Sequence, residues 1–175
     1  MDIQQRLHQS LFRINRYFTH LYLTFSVQML GKLLAKASQF DSDMQAQIED
    51  FREGAKILFK IDYLPAGYFN LLVHNQRFQY LNQGIAAQLE YDLVIRIKHP
   101  KLAFQILALK EGNADGVAQN RFVTNGDATL GIRFINCLEI LEAHLLPSYF
   151  SQKLLRRHRP ITPIEKISFI KKLVS

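Results

Sequence analysis

The sequence is poor in cysteine, glycine and proline. Its single cysteine, Cys137, cannot form a disulfide within this chain and cannot supply a cysteine-based zinc site. With eight glycines and five prolines among 175 residues, the chain is neither collagen-like nor of low complexity. At 48% hydrophobic residues it has enough apolar side chains to form a core. We therefore expect one folded globular domain with helical extensions at one or both ends.

Sequence motifs for catalysis and for cofactor binding are also missing. The six histidines, at positions 8, 20, 74, 99, 144 and 158, never have the close helical spacing that chelates a metal. The sequence contains no phosphate-binding loop, no dinucleotide-binding glycine pattern and no nucleophile elbow. Cys137 lies among apolar residues, which favours a buried side chain over a nucleophile. We therefore expect no metal and no cofactor, and the sequence offers few candidates for catalysis.

A membrane-spanning segment is not predicted either. Between Arg16 and Lys32 lie fifteen residues without a formal charge, whereas a spanning helix needs about 20 mostly apolar residues. The stretch is also too polar for the apolar core of a signal peptide, so we expect a cytoplasmic protein. Helical spacing instead predicts an amphipathic helix that packs on its own domain, on a second copy or on a membrane surface. Its apolar positions are Leu7, Leu11, Ile14, Phe18, Leu21 and Phe25.

Positive charge is concentrated at the two ends of the chain. Residues 1–37 hold five Lys or Arg residues and one acidic residue. Residues 38–150 hold ten Lys or Arg residues and thirteen acidic residues. Residues 151–175 hold seven Lys or Arg against Glu165 alone. A basic end on a near-neutral body predicts peripheral contact with an anionic membrane surface or an acidic partner. The residues expected to make this contact are Arg156, Arg157, Arg159, Lys171 and Lys172.

Helical and then alternating patterns follow the first helix. Ser42 and Gln45 form a capping box, which predicts a second helix from Ser42 to about residue 60. Between residues 69 and 80 the apolar period changes to two, which predicts a β-hairpin turning near Asn75 and Gln76. The clearest strand covers residues 89–97, with one apolar face and one mostly polar face.

The last part of the chain alternates between helix and strand. Pro100 suits the first turn of a short apolar helix that Gly112 ends. A brief strand over residues 120–125 leads to Asp127, which caps a long apolar helix running to Pro147. A capping box at Thr162 predicts a short basic helix that carries Ile164, Ile167, Ile170 and Val174.

Residues 89–147 resemble the sterol carrier protein 2 family of lipid-binding domains. The resemblance lies in the strand YDLVIRI, the helix KLAFQILALKEG, the strand RFVTNGD and the helix ATLGIRFINCLEILE. The best-matching positions are Asp92-Leu93, Gly126-Asp127 and Leu130-Gly131. Within the family, the chain looks most similar to bacterial ubiquinone-biosynthesis accessory factors, through the pattern GDxxLGxxxxNxxxxxE and the Pro that follows it. One departure is Val117-Ala118, where many members carry an aromatic pair.

The resemblance implies an α/β (α+β) fold, in which helices cover one side of a mostly antiparallel sheet around an apolar cavity. It divides the chain into an N-terminal helical segment (1–62), a sterol-carrier-like lipid-binding domain (63–147) and a basic C-terminal tail with a short helix (148–175). It implies a non-catalytic carrier in ubiquinone biosynthesis, with a hydrophobic lipid or a polyprenylated quinone precursor as ligand and other quinone-biosynthesis proteins as partners. Whether the chain forms a homo-oligomer stays open.

The apolar strand faces and the two apolar helices indicate where such a ligand would lie. Their side chains are expected to line the cavity between sheet and helices. The expected lipid-binding residues are Phe69, Leu71, Val73, Phe78, Leu93, Ile95, Leu102, Ile106, Phe122, Leu130, Phe134 and Leu138.

Two other functions remain as alternatives. The segment KLLRRHR is typical of a basic module for nucleic acid or an acidic protein, but it lacks interleaved aromatic residues. A hydrolase or isomerase acting on a lipid would need a polar group at the cavity wall, for which His74, Tyr80 and Tyr91 are the candidates.

Overall fold

A five-stranded sheet forms the centre of the computed structural model, which describes residues 3–81, 90–107, 122–145 and 161–174, with side chains from residue 17 onward. The strands lie in the order β3-β2-β1-β4-β5, in which β1 and β4 are parallel and the other neighbours are antiparallel. The expected mostly antiparallel sheet is therefore confirmed. The strands are β1 (Lys56–Ile61), β2 (Tyr68–His74), β3 (Arg77–Leu81), β4 (Leu93–Ile97) and β5 (Phe122–Gly126).

Helices precede and follow the sheet. In the described residues they are α1 (Ile3–Ala37), α2 (Ser42–Ile48), α3 (Pro100–Leu107), α4 (Ala128–Leu145) and α5 (Pro163–Val174). Helix α1 packs on β2 and β3, whereas α4 packs on β4 and β5 and against α2 and α5. The expected mixed fold with helical N- and C-terminal parts is confirmed.

One face of the sheet is apolar and carries the core. The strand register places Ile57 beside Leu71 and Leu93, and Phe59 beside Phe69, because neighbours in the hydrogen-bonded rows point to the same side. These residues are all buried. The residues between them on β1 point to the other face and are half-buried. Helices α1 and α4 therefore cover the apolar face.

The hairpin forms where the sequence predicts it. Asn75 and Gln76 join β2 to β3 and have φ angles of 51° and 56°. Positive φ at both central residues is typical of the type I′ turn, whose twist matches that of the strands. The backbone N–H of Asn75 also donates to the Glu53 carboxylate at 3.0 Å, which ties the turn to the chain before β1.

The prediction of a helix from Ser42 to about residue 60 is wrong beyond Ile48, where α2 ends. Asp41 caps α2 by accepting from the Met44 N–H at 2.8 Å, and the expected capping box is absent because the Gln45 amide donates instead to the Ser38 carbonyl at 3.0 Å. Gly54, at φ 80°, lies between α2 and β1. Residues Lys56–Ile61 then pair with both β2 and β4. Pairing on both sides outweighs the local helical pattern, and the sheet takes its central strand from this segment.

The caps around the later helices agree with the sequence. The Asp127 carboxylate accepts from the Thr129 N–H at 2.6 Å at the start of α4. The Thr162 N–H donates to the Glu165 carboxylate at 2.8 Å, as a capping box requires. Strand β4 begins at Leu93, later than expected. The predicted helix ends at Gly112 and Pro147 lie outside the described residues.

Candidate functional site

The twelve residues predicted to bind lipid all lie in one apolar cluster between the sheet and the helices. Leu102 on α3 and Leu130 on α4 are half-buried. The other ten are buried, and they are Phe69, Leu71, Val73, Phe78, Leu93, Ile95, Ile106, Phe122, Phe134 and Leu138. The structure therefore brings together side chains from four strands and two helices.

Four phenylalanine rings form the centre of this cluster. Phe59 and Phe69 stack with their ring centroids 5.0 Å apart. Phe134 on α4 lies 6.4 Å from both of them and 6.1 Å from Phe78. Aromatic rings at such separations are in contact. The rings therefore join α4 to the sheet at the middle of the expected ligand site.

The sequence prediction missed the part of the site that β1 contributes. Ile57, Phe59 and Ile61 are buried on the central strand, between the predicted residues of β2 and those of β4. The signal for them is the alternation in KILFKI directly after Gly54, which the helical spacing of the preceding residues obscured. Helix α1 adds Leu23, Val27 and Leu34, which are also buried.

The apolar cluster reaches the surface between α1 and α3. The Tyr22 ring lies 5.6 Å from the Phe104 ring, and the Tyr22 hydroxyl donates to the Leu107 carbonyl at 3.1 Å. Ala103 and Ile106 are buried, whereas Phe104 and Leu107 are half-buried at the edge of the cluster. Among the residues that the structure describes, the eight-residue helix α3 covers this side of the core.

Among the three polar candidates for catalysis, only Tyr80 lies on the apolar face, beside Leu71. Burial raises the pKa of the Tyr80 hydroxyl, and Tyr68 raises it further. His74 lies on the opposite face with its imidazole 2.6 Å from the Glu53 carboxylate. The Tyr91 hydroxyl donates to the Asn70 amide oxygen at 3.0 Å. The three groups therefore do not form one catalytic arrangement.

Cys137 is buried in α4, as the sequence predicts. Burial raises the pKa of its thiol far above the usual range, and Asp41 raises it further, with Arg133 acting in the opposite direction. Since the thiolate is the reactive form of cysteine, this side chain is a poor nucleophile.

A polar cavity of about 260 Å³ lies between α2, α4 and the start of α5. None of the twelve predicted lipid-binding residues lines it. Its wall carries the carboxyl groups of Asp41, Asp43, Glu139 and Glu165. Placing hydrocarbon against carboxylates costs free energy, because the charged groups lose water without gaining a partner. This cavity is therefore unsuited to an apolar ligand.

The predicted membrane-contact residues are described only in part. Lys171 and Lys172 are exposed on α5, whereas Arg156, Arg157 and Arg159 lie outside the described residues, as does Val117-Ala118. Among the helices that the structure describes, none combines the length and the apolar character needed to span a bilayer. Within the same ranges, no three His, Cys, Asp or Glu side chains converge in a way that could hold a metal ion.

The chain is similar to solved structures of sterol carrier protein 2 domains. The UbiJ-SCP2 ubiquinone synthesis protein matches at 9% identity and a TM-score of 0.46, over 66% of this chain and 90% of that one. The sterol carrier protein domain 2 of Helicoverpa armigera matches at 16% identity and a TM-score of 0.42, over 78% and 93%. Sterol Carrier Protein 2 Like 2 from Aedes aegypti matches at 12% identity and a TM-score of 0.32, over 58% and 94%.

No protein-family model and no curated protein matches the chain. The resemblance to sterol carrier protein 2 domains that the sequence indicates is thus found again among solved structures.

Proposed function

We propose that this protein is a non-catalytic carrier of a hydrophobic molecule, held between the apolar face of the sheet and helices α1, α3 and α4. The observation that carries the proposal is the apolar character of that whole face. Ten of the twelve predicted residues are buried there, and β1 adds Ile57, Phe59 and Ile61 to the same side. A ligand entering between sheet and helices would meet almost only hydrocarbon and aromatic rings.

A polyprenylated quinone precursor of ubiquinone biosynthesis is the proposed ligand. Burial of hydrocarbon is worth about 0.8 kcal/mol for each CH₂ group, so a prenyl chain gains affinity without any polar contact. The similar ubiquinone synthesis protein supports the pathway part of the proposal by its name alone. Tyr80 lies beside Leu71 on the apolar face, and its hydroxyl, which is protonated at neutral pH, is suited to donate a hydrogen bond to a polar head group.

Entry of the ligand is proposed at the edge formed by α3. The phenylalanine rings are in contact, so a ligand has to displace side chains in order to bind. Helix α3 is short, and only Ala103 and Ile106 of its residues are buried. Moving it outward exposes less apolar surface than moving α4, which has eight buried residues. Other quinone-biosynthesis proteins would receive the ligand at this edge.

The decisive experiment is organic extraction of the purified protein followed by mass spectrometry. We expect a prenyl-quinone precursor or another lipid at near-stoichiometric amount. Phe134→Arg would place an unpaired charge in the core and unfold the protein, because Phe134 is fully buried. We therefore choose Leu102→Trp and Leu130→Trp, which enlarge half-buried side chains at the edge of the site.

Ile132→Trp is the matched control, because Ile132 also lies on α4 but is 60% exposed and does not belong to the apolar cluster. The proposal predicts less lipid in the two site variants than in the control, with unchanged circular dichroism in all three. An empty extract from folded wild-type protein overturns the carrier function. Recovery of a chemically altered lipid overturns the proposal that the carrier is non-catalytic. Unchanged quinone in a deletion strain, grown with and without oxygen, overturns the pathway.

Peripheral association with an anionic membrane is proposed for the basic C-terminal end. Each Lys or Arg near such a surface contributes about 1 kcal/mol of attraction. Replacing Arg156, Arg157 and Arg159 by Gln is expected to weaken liposome binding. Unchanged binding would rule out these arginines as the contact.

A further inference from the structure

Helix α5 has two apolar faces, and only one of them packs against the other residues that the structure describes. Phe169 is 5% exposed, and Leu173 packs on the core beside it. Successive residues of a helix are about 100° apart, so Ile167 lies about 160° around the axis from Phe169. The outward side, called the isoleucine face, consists of Ile164, Ile167, Ile170 and Val174, which are 79%, 67%, 42% and 82% exposed.

The contacts of Phe169 determine how α5 is oriented. Its ring stacks on the His144 imidazole with centroids 4.0 Å apart and meets the Phe40 ring at 5.1 Å. The Lys172 ammonium lies 5.7 Å from the centroid of the same Phe40 ring. Turning the isoleucine face inward would break all of these contacts. The helix therefore presents this face outward while it stays attached to α4 and to the end of α1.

The charge around the isoleucine face is positive. At about 100° for each residue, Lys171 falls between Ile164 and Ile167 on the helix circumference, whereas Lys172 lies about 80° beyond Ile164, toward the packed side. Glu165 is the only acidic residue of α5, and it takes part in the capping box with Thr162. Residues 151–175 together hold seven Lys or Arg and this one acid. An exposed apolar face with Lys171 within it, on a basic end of the chain, complements a surface that combines hydrocarbon with negative charge.

We propose that α5 docks the protein on an anionic lipid bilayer by inserting the isoleucine face at the boundary between head groups and acyl chains. Lys171 extends its alkyl chain along this boundary and places its ammonium group among the phosphates. The inference rests on the proposed function, because a carrier of a membrane lipid has to meet a bilayer in order to load and release it.

Co-sedimentation with vesicles tests this docking. The vesicles contain phosphatidylcholine with about a third of phosphatidylglycerol, and vesicles of phosphatidylcholine alone serve as the neutral comparison. In the double variant Ile164→Gln/Ile167→Gln the charge is unchanged, and the dissociation constant for anionic vesicles is expected to rise about tenfold or more. The matched control is Ile132→Gln, since Ile132 is 60% exposed on α4. It is expected to bind as the wild type does.

Varying the salt concentration distinguishes the apolar contribution to vesicle binding from the electrostatic contribution. Raising salt screens the lysines, so wild-type binding is expected to weaken without disappearing. Unchanged binding of the double variant overturns the proposal, and so does wild-type protein that fails to bind anionic vesicles. Loss of binding in Phe18→Gln/Phe25→Gln, with the α5 variant unaffected, places the contact on α1 and likewise overturns it.

The same protein preparations are extracted for lipid, which distinguishes a failure of docking from a failure of carriage. Protein that contains lipid but does not bind vesicles overturns the docking role of α5 and keeps the carrier function. Protein that binds vesicles through α5 but contains no lipid supports the docking surface and overturns the carrier function.

Discussion

A β-carbon on Gly31 would lie 2.5 Å from the Cγ atom of Phe69. The backbone of α1 therefore rests directly on a ring in the middle of the sheet, at a distance that leaves no room for a side chain. Phe69 in turn stacks on Phe59 of the central strand. The approach of α1 to the sheet depends on the missing side chain at residue 31.

Gly31→Ala is expected to lower the free energy of unfolding by up to about 2 kcal/mol. Overpacking costs about 1–3 kcal/mol, and the better helix propensity of alanine recovers about 1 kcal/mol of this. Urea denaturation measures the change. In a Phe69→Ala background the same substitution should cost less, because alanine lacks the Cγ atom that the new β-carbon would overlap. A stabilised Gly31→Ala variant would contradict the close approach.

The position of β1 can be tested with two neighbouring residues of equal size. Ile57 is fully buried on the apolar face, whereas Leu58 is half-buried on the other face. Ile57→Ala is expected to destabilise the protein by about 2–5 kcal/mol, and Leu58→Ala by roughly half of that or less. Thermal and urea unfolding of both variants measure the difference. A larger effect at Leu58 would favour the helical pattern that the sequence indicated over the strand.

Ionisation of Tyr91 is expected to lower the free energy of unfolding of the protein at alkaline pH. Burial raises the pKa of its hydroxyl above the ordinary value of 10.0, and Tyr68 contributes as well. The folded protein therefore holds this proton more tightly than the unfolded chain, so this stability is present below pH 10 and is lost as the pH rises through the folded pKa. Tyr91→Phe should reduce this dependence.

Tyr91→Phe should also cost about 1–3 kcal/mol at neutral pH, because the buried Asn70 amide oxygen loses the hydroxyl that donates to it. Urea denaturation at neutral and alkaline pH measures both effects. Tyr80→Phe is the control, since the pKa of Tyr80 is raised by the same causes but its hydroxyl has no bond to Asn70. Equal neutral-pH costs in the two variants would argue against a specific role of the bond to Asn70.

Cys137 is expected to resist thiol reagents in the folded protein. Its thiol is buried and its pKa is raised, so reaction requires local or global unfolding. We expect labelling by a chromogenic disulfide at neutral pH to be about a hundredfold slower or more than in denaturant. Fast labelling of folded protein would show that α4 opens readily and would contradict the packing of this helix.

Elements with strong local signals were predicted correctly. The hairpin follows from turn residues between two alternating runs, and α4 and α5 follow from Asp127 and Thr162, which cap them within three residues in sequence. The central strand was missed because apolar residues before and within it also fit helical spacing. Its pairing partners, Leu71 and Leu93, lie far away along the chain, and no local pattern contains them.

The sequence by itself determined which side chains are apolar, where the turns and caps lie and where positive charge collects, because each of these depends on residues close together in the chain. Only the tertiary structure decided that β1 lies at the centre of the sheet and that Phe169 faces the core while Ile164 and Ile167 face outward. An apolar stripe in the sequence shows that burial of its side chains away from water is favourable. Which surface it reaches depends on contacts between distant segments, such as that of Phe169 with Phe40 and His144.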